Sequence, residues 1–179
     1  SRFTGQDAIN AVLLDRARAG LCVVRLKGGG SFVFGRGFEE VTHLQRAGVP
    51  VRVIPGLSSS ISVPALAGIP VTHRGVVHEF TVISGHLPPG HPDSLVNWAA
   101  VARSKGTIVL MMAMQNAGAI AEALIEGGRC GDEPVAVIAD GSLTSQRVVR
   151  ATLRSLERTI TSERLQPPAV VVVGEVVAL

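Results

Sequence analysis

Apolar positions along this chain come in short bursts, and the spacing within each burst separates helices from strands. Ile9, Val12 and Leu13 recur at helical intervals; Thr4 and Asp7 ahead of them read as a capping-box variant, and Gly20 closes the segment. The run "LCVVRL" (21–26) is continuous instead, as expected of a strand buried on both faces. A glycine-rich loop follows, then a helix from about Gly37 to Ala47 ending at Gly48, then a strand at "VPVRVI" (49–54). Pro55-Gly56 turns the chain into "LSSSISVPALAG" (57–68), whose serines offer caps for a short helix interrupted near Pro64. Strand, helix, strand, helix at this spacing predicts an α/β layer with parallel strands.

"GIPVTHRGVVHE" (68–79) has no clear periodicity and reads as a linker, dividing the chain into domains 1–74 and 75–179. The pattern then restarts. Strands are predicted at "FTVIS" (80–84), "TIVLMM" (107–112), "PVAVIA" (134–139) and "AVVVVG" (169–174). Helices are predicted near 94–103, with Trp98, and from Ala117 to Gly127, while "SQRVVRATL" (145–153) reads as a strand running into a helix. "GHLPPGHPD" (85–93) is a surface loop. The chain opens with Ser inside a helix signal, so an N-terminal portion of the first domain is expected to be missing.

Composition narrows the class. With 46% hydrophobic and 17% charged residues in 179, the chain is a folded globule and not a disordered one. No apolar run approaches a membrane span, and two cysteines, Cys22 and Cys130, make neither a disulfide framework nor a metal-ligand pair, as in a reducing cytoplasm. Of the 17 basic residues all but Lys27 and Lys105 are Arg. Arginine suits carboxylate or phosphate ligands, although codon bias explains the same excess equally well. Sparse aromatics, no Tyr and no dense basic cluster argue against nucleic acid.

Generic motifs stop short of a function. Gly30 to Arg36 spells G-x-x-x-x-G-R without the Lys and hydroxyl of a P-loop, and Val33 stands where a dinucleotide fingerprint needs its third glycine. His73, His78, His86 and His91 have no common ligand spacing and read as loop histidines. Asp140-Gly141-Ser142 resembles a strand-end turn, and Met111, Met112 and Met114 default to core packing, with Met112 placed at a strand end where it can face a ligand. Ser58 to Ser60 follow a turn but form no nucleophile elbow. What remains is a glycine-rich site at the carboxyl end of a strand, where open α/β sheets bind ligands.

Taken together, "VVRLKGGGSFVFGRGFEE" (23–40), "VIPGLSSS" (53–60), "AGIPVTHRG" (67–75), "SGHL" (84–87), "MMAMQNA" (111–117), "PVAVIADGSLTSQRVV" (134–149) and "VVVVGEVV" (170–177) resemble the tetrapyrrole methylases, in particular the branch acting on uroporphyrinogen III. The resemblance implies two α/β domains, the first incomplete here, with S-adenosylmethionine in the cleft between them. It assigns cofactor contacts to Gly28, Gly29, Gly30, Val33, Ser58, Ser59, Met112 and Gly141, and places Arg25 and Arg36 against the carboxylates of the tetrapyrrole. It further implies two methyl transfers giving precorrin-2, on the way to sirohaem or cobalamin, by a cytoplasmic homodimer that leaves S-adenosylhomocysteine.

The resemblance assigns no catalytic residue here. The family's opening glycine-rich strand and loop, with their proposed proton acceptor and donor, have no counterpart. Gly30 stands where the family usually has Asp, Ser31 where it has Pro and Phe38 where it has Gly. A non-catalytic protein that binds tetrapyrrole or dimerises keeps the same fold and stays open as an alternative. A sibling methylase acting on a later corrin intermediate is disfavoured by "VTHRG" and "FGRG".

Overall fold

The computed structural model describes residues 4–179. They form two compact units, one ending at Ser58 and one running Ser59–Leu179. In the first unit, α1 (Gln6–Arg18) packs against α2 (Gly37–Arg46). The expected Thr4/Asp7 cap does not form: Gly5 is the N-cap and no side chain bonds there. Asp7 still lies in the first turn, where its charge favours the helix dipole. Leu13 is buried as expected, whereas Val12 is exposed.

The two strands expected in this unit are not formed. Residues 21–26 and 49–54 join no sheet among the described residues. Val24 and Leu26 are 82% and 84% exposed, not buried on both faces. An apolar run becomes a strand only when a neighbouring strand satisfies its backbone and a layer covers its side chains. No ladder among the described residues supplies either.

The second unit begins with α3 (Ser59–Leu66), which runs through Pro64 without the expected interruption. Pro64 is the sixth of the helix's eight residues, so only Ala65 and Leu66 follow it and little helix remains to be interrupted. α3 rests on two strands of the unit's sheet, β2 (Thr107–Met111) and β5 (Ala169–Val173), so the packing boundary lies upstream of the 74/75 division expected from loop composition. The expected linker holds a tight turn, with His73 and Val77 exchanging backbone hydrogen bonds of 3.0–3.1 Å.

β1 (Phe80–Ser84), β3 (Pro134–Ala139) and β4 (Arg147–Thr152) complete the sheet, in the order β1-β2-β5-β3-β4. Only β1 and β2 pair in parallel; the other three pairings are antiparallel. The expected strands are therefore present here, in a mixed sheet. Alternate side chains explain the continuous apolar runs. Ile108, Leu110, Val135, Val137, Val171 and Val173 face α4 (Trp98–Arg103), α5 (Ala117–Glu126) and α6 (Leu156–Ser162). Val109, Ala136, Ile138, Val170 and Val172 face the other way, onto Val63, Ile69, Val176 and Val177. α4 starts later than expected because Asn97 caps it, its side chain accepting the Ala100 N–H at 3.0 Å. Among the described residues no helix is long and apolar enough to cross a membrane.

Leu124, fully buried on α5 beneath the sheet, has no room to collapse around a truncation. Leu124→Ala is expected to cost about 3 kcal/mol, measured by denaturant unfolding followed through the buried Trp98, which shares that core.

Candidate functional site

The carboxyl ends of β2 and β3 lie at one edge of the sheet, and β5, antiparallel to both, begins there: Met111 pairs with Val170, and Ala139 with Ala169. At this edge lies a cavity of about 500 Å³, within the size range of small-molecule sites. Its walls are largely apolar, from Val63, Met111, Met112, Ile138 and Val170, with Ser59, His86 and Gln115 supplying polar groups.

The backbone is bent hard on two sides of this edge. Met112 (φ 54°) directly follows β2 and Asp140 (φ 52°) directly follows β3, both in the left-handed region. For non-glycine residues that costs roughly 1–3 kcal/mol each and is concentrated at functional sites. Asp140 is fixed by its N–H to Pro168 O at 2.9 Å and by Ser145 Oγ donating to Oδ2 at 3.0 Å. Met112 is 51% exposed and lines the cavity, so it is not core packing. Met111 and Met114 line the same cavity.

Of the cofactor residues expected from sequence, Ser59, Met112 and Gly141 are brought together here. Gly141 is required by close approach: a Cβ there would lie 2.5 Å from Val63 Cγ1 on α3. Sequence reading took His86 for a loop histidine and passed over Gln115 and the Pro167–Pro168 segment. The signal for His86 was its place two residues beyond a strand end. Ser84 Oγ and His86 Nδ1 are 2.8 Å apart, and the turn between them is pinned by Gly85 N–H to Met111 O and Asn116 Nδ2 to Gly85 O, both 2.8 Å.

The other expected residues, Gly28, Gly29, Gly30, Val33, Ser58, Arg25 and Arg36, belong to the first unit. There the glycine loop packs against 56–58. Gly56 has no room for a side chain, since its Cβ would lie 2.6 Å from Gly29 O. Gly30 does have room: a Cβ would meet Ser58 Cβ at an ordinary 3.5 Å, and Gly28 is open on all sides. Val33 is part-exposed and hydrogen-bonds back to Gly30 O.

A buried carboxylate anchors this loop to α2. Glu40, 4% exposed, accepts from Gln6 Nε2, Arg25 Nε and Lys27 Nζ, each at 3.2 Å. Burial pushes its carboxyl up, but the hydrogen bonds from Gln6 and Lys27 and the charges of Lys27 and Arg25 together hold it below the ordinary range. Arg25 is thus tied to Glu40, and Arg36 to Glu39 through two bonds of 2.7 and 2.9 Å. The Arg36 hydrogen bond and charge hold the Glu39 carboxyl below its usual range.

Comparison with known proteins decides the family. Residues 1–157 match the model of the tetrapyrrole (corrin/porphyrin) methylases. The chain belongs to the tetrapyrrole methylase family. It is 47% identical over 174 residues to a uroporphyrinogen-III C-methyltransferase of Sinorhizobium sp, covering 97% of this chain and 62% of that protein. It is 42% identical over 173 residues to that of Methanocaldococcus jannaschii, covering 96% and 71%. The structure of the Thermus thermophilus uroporphyrin-III C-methyltransferase complexed with S-adenosylhomocysteine superposes with a TM-score of 0.80 at 39% identity, over 97% of this chain and 74% of that one. The chain therefore spans roughly two thirds of the length of these curated relatives.

Two outcomes follow from the packing. Gly141→Ala is expected to destabilise the second unit by about 1–3 kcal/mol, and Val63→Ala in the same chain to recover most of that loss, both read from urea unfolding. Glu40→Gln is expected to speed hydrogen exchange across 25–40 by about tenfold or more at neutral pH. Because the folded-state pKa of Glu40 is depressed, the stability it contributes is present above the ordinary carboxylate range and lost as pH falls through the lowered one. The exchange difference should shrink over that interval.

Proposed function

We propose that this methylase catalyses the S-adenosylmethionine-dependent C-methylation of uroporphyrinogen III to precorrin-2, towards sirohaem and cobalamin. The observation that carries the reading is the convergence of Ser59, Met112 and Gly141, distant in sequence, on one cavity at the strand-end edge. The named activities of the similar proteins support the same substrate and cofactor.

The residues present fit such a cofactor. The cavity has the volume for a nucleoside thioether and an apolar wall for its carbon and sulfur atoms, with Gly141, packed closely against Val63, in its lining. When bound, S-adenosylmethionine supplies an already activated methyl group. The chain's part is then to align it with a ring carbon, which can be worth roughly 7–11 kcal/mol. The bent backbone at Met112 and Asp140 gives that alignment a rigid frame. Cofactor contacts of Gly28, Gly29, Gly30, Val33 and Ser58, and carboxylate contacts of Arg25 and Arg36, are part of the same proposal. So are a homodimer and a cytoplasmic setting, the latter in keeping with the unpaired, exposed Cys22 and Cys130.

Calorimetric titration with S-adenosylhomocysteine tests the reading. The methylase is expected to bind in the range of about a micromolar. Met112→Ala should weaken that binding by about tenfold through lost contact with the ligand. Unchanged affinity in a folded Met112→Ala chain would make the methionine a packing residue and remove it from the site. Absence of any binding by a cooperatively melting parent chain would sink the cofactor assignment.

A further inference from the structure

Near the glycine loop the first unit carries an aromatic pair that packing does not use. Phe32 and Phe38 meet edge to face, ring centroids 5.9 Å apart and planes at 90°, while remaining 54% and 67% exposed. Phe38 is the second residue of α2, at a position where apolar surface this open gains little from folding. Its contact with Phe32 nevertheless holds the ring in a defined pose, and a phenyl group has few rotamers left to lose on binding.

A charged group lies close by in the sequence. Arg36, two residues before Phe38, has positive φ and an exposed side chain. Its Nε and Nη2 donate to Glu39, and its Nη1 has no partner among the described residues. A guanidinium with one free edge, two residues along the chain from a braced aromatic ring, suits a large ligand that joins flat π faces to rim carboxylates.

We propose that Phe38, braced by Phe32, is a substrate-stacking residue: a pyrrole face of the tetrapyrrole lies against it while a rim carboxylate takes the free edge of Arg36. This rests on the substrate reading above and deepens it. Stacking by Phe38 adds affinity for the ring system, and Arg36 adds affinity for its carboxylates.

The test is a fluorescence titration with uroporphyrin III, the stable oxidised octacarboxylate, on the parent chain, Phe38→Ala and Arg36→Ala, each also titrated with S-adenosylhomocysteine and sedimented. Phe38→Ala is expected to bind uroporphyrin about tenfold more weakly, with S-adenosylhomocysteine affinity unchanged. Equal uroporphyrin affinity of parent and Phe38→Ala, with Arg36→Ala weakened, overturns the stacking role and leaves the substrate reading standing. A parent chain that binds S-adenosylhomocysteine but no uroporphyrin overturns the substrate reading and this inference with it. A Phe38→Ala chain that only changes its sedimentation assigns the face to a second copy of the chain, which also overturns it.

Discussion

The pairing of β5 with β2 on one side and β3 on the other is the constraint on which the second unit depends. Val170 to Val173 bridge two strands that would otherwise have no common ladder, and their alternating side chains enter both cores. Through β5 the ends of β2 and β3 reach the same edge, where the cavity lies. Because β5 runs opposite to both, its first residues, not its last, join that edge. A parallel strand there would have delivered Val173 and Gly174 in place of Pro168 and Ala169. Burial of both faces makes the register unforgiving, since a one-residue slip exchanges the two cores.

The first unit relies on a different interaction. Its apolar segments form no ladder among the described residues, and a single buried carboxylate, Glu40, gathers Gln6, Arg25 and Lys27 onto α2. A buried charge is tolerable only with partners of this kind, and removing one of them leaves the others uncompensated. Ionisation of Glu40 contributes to the stability of this unit, while packed volume dominates in the second. Arg129 shows the second unit using charge more sparingly: it donates to Ser104 O and Gly106 O and pairs with Glu133, tying the turn before β2 to the start of β3.

Functionally, the two kinds of order are complementary. Packed strands hold Met112 and Gly141 within a rigid apolar frame suited to a nucleoside thioether, where small displacements matter for alignment. Under the proposed function, the exposed, charge-bearing segment with Arg36 and Phe38 would take the larger, carboxylate-fringed partner. Both demands fall on one chain under that function.

From 80 onward, sequence alone located the five strands and helices α4 and α5, because their apolar positions repeat with the period that burial on one or both faces demands; α6, beyond the 145–153 segment read as a strand running into a helix, it did not. It also marked Ser59, Met112 and Gly141 as partners, on the strength of motif resemblance. It could not determine the direction of β5, since a run of four valines reads alike in parallel and antiparallel pairing. Nor could it separate 21–26 and 49–54 from true strands, because apolarity states what a segment can bury and not whether a neighbour exists to bury it. The bend at Met112, the role of His86 in the cavity wall and the capture of Arg25 by Glu40 were decided by tertiary structure. Each depends on groups far apart in the chain, and only folding sets the distances between them.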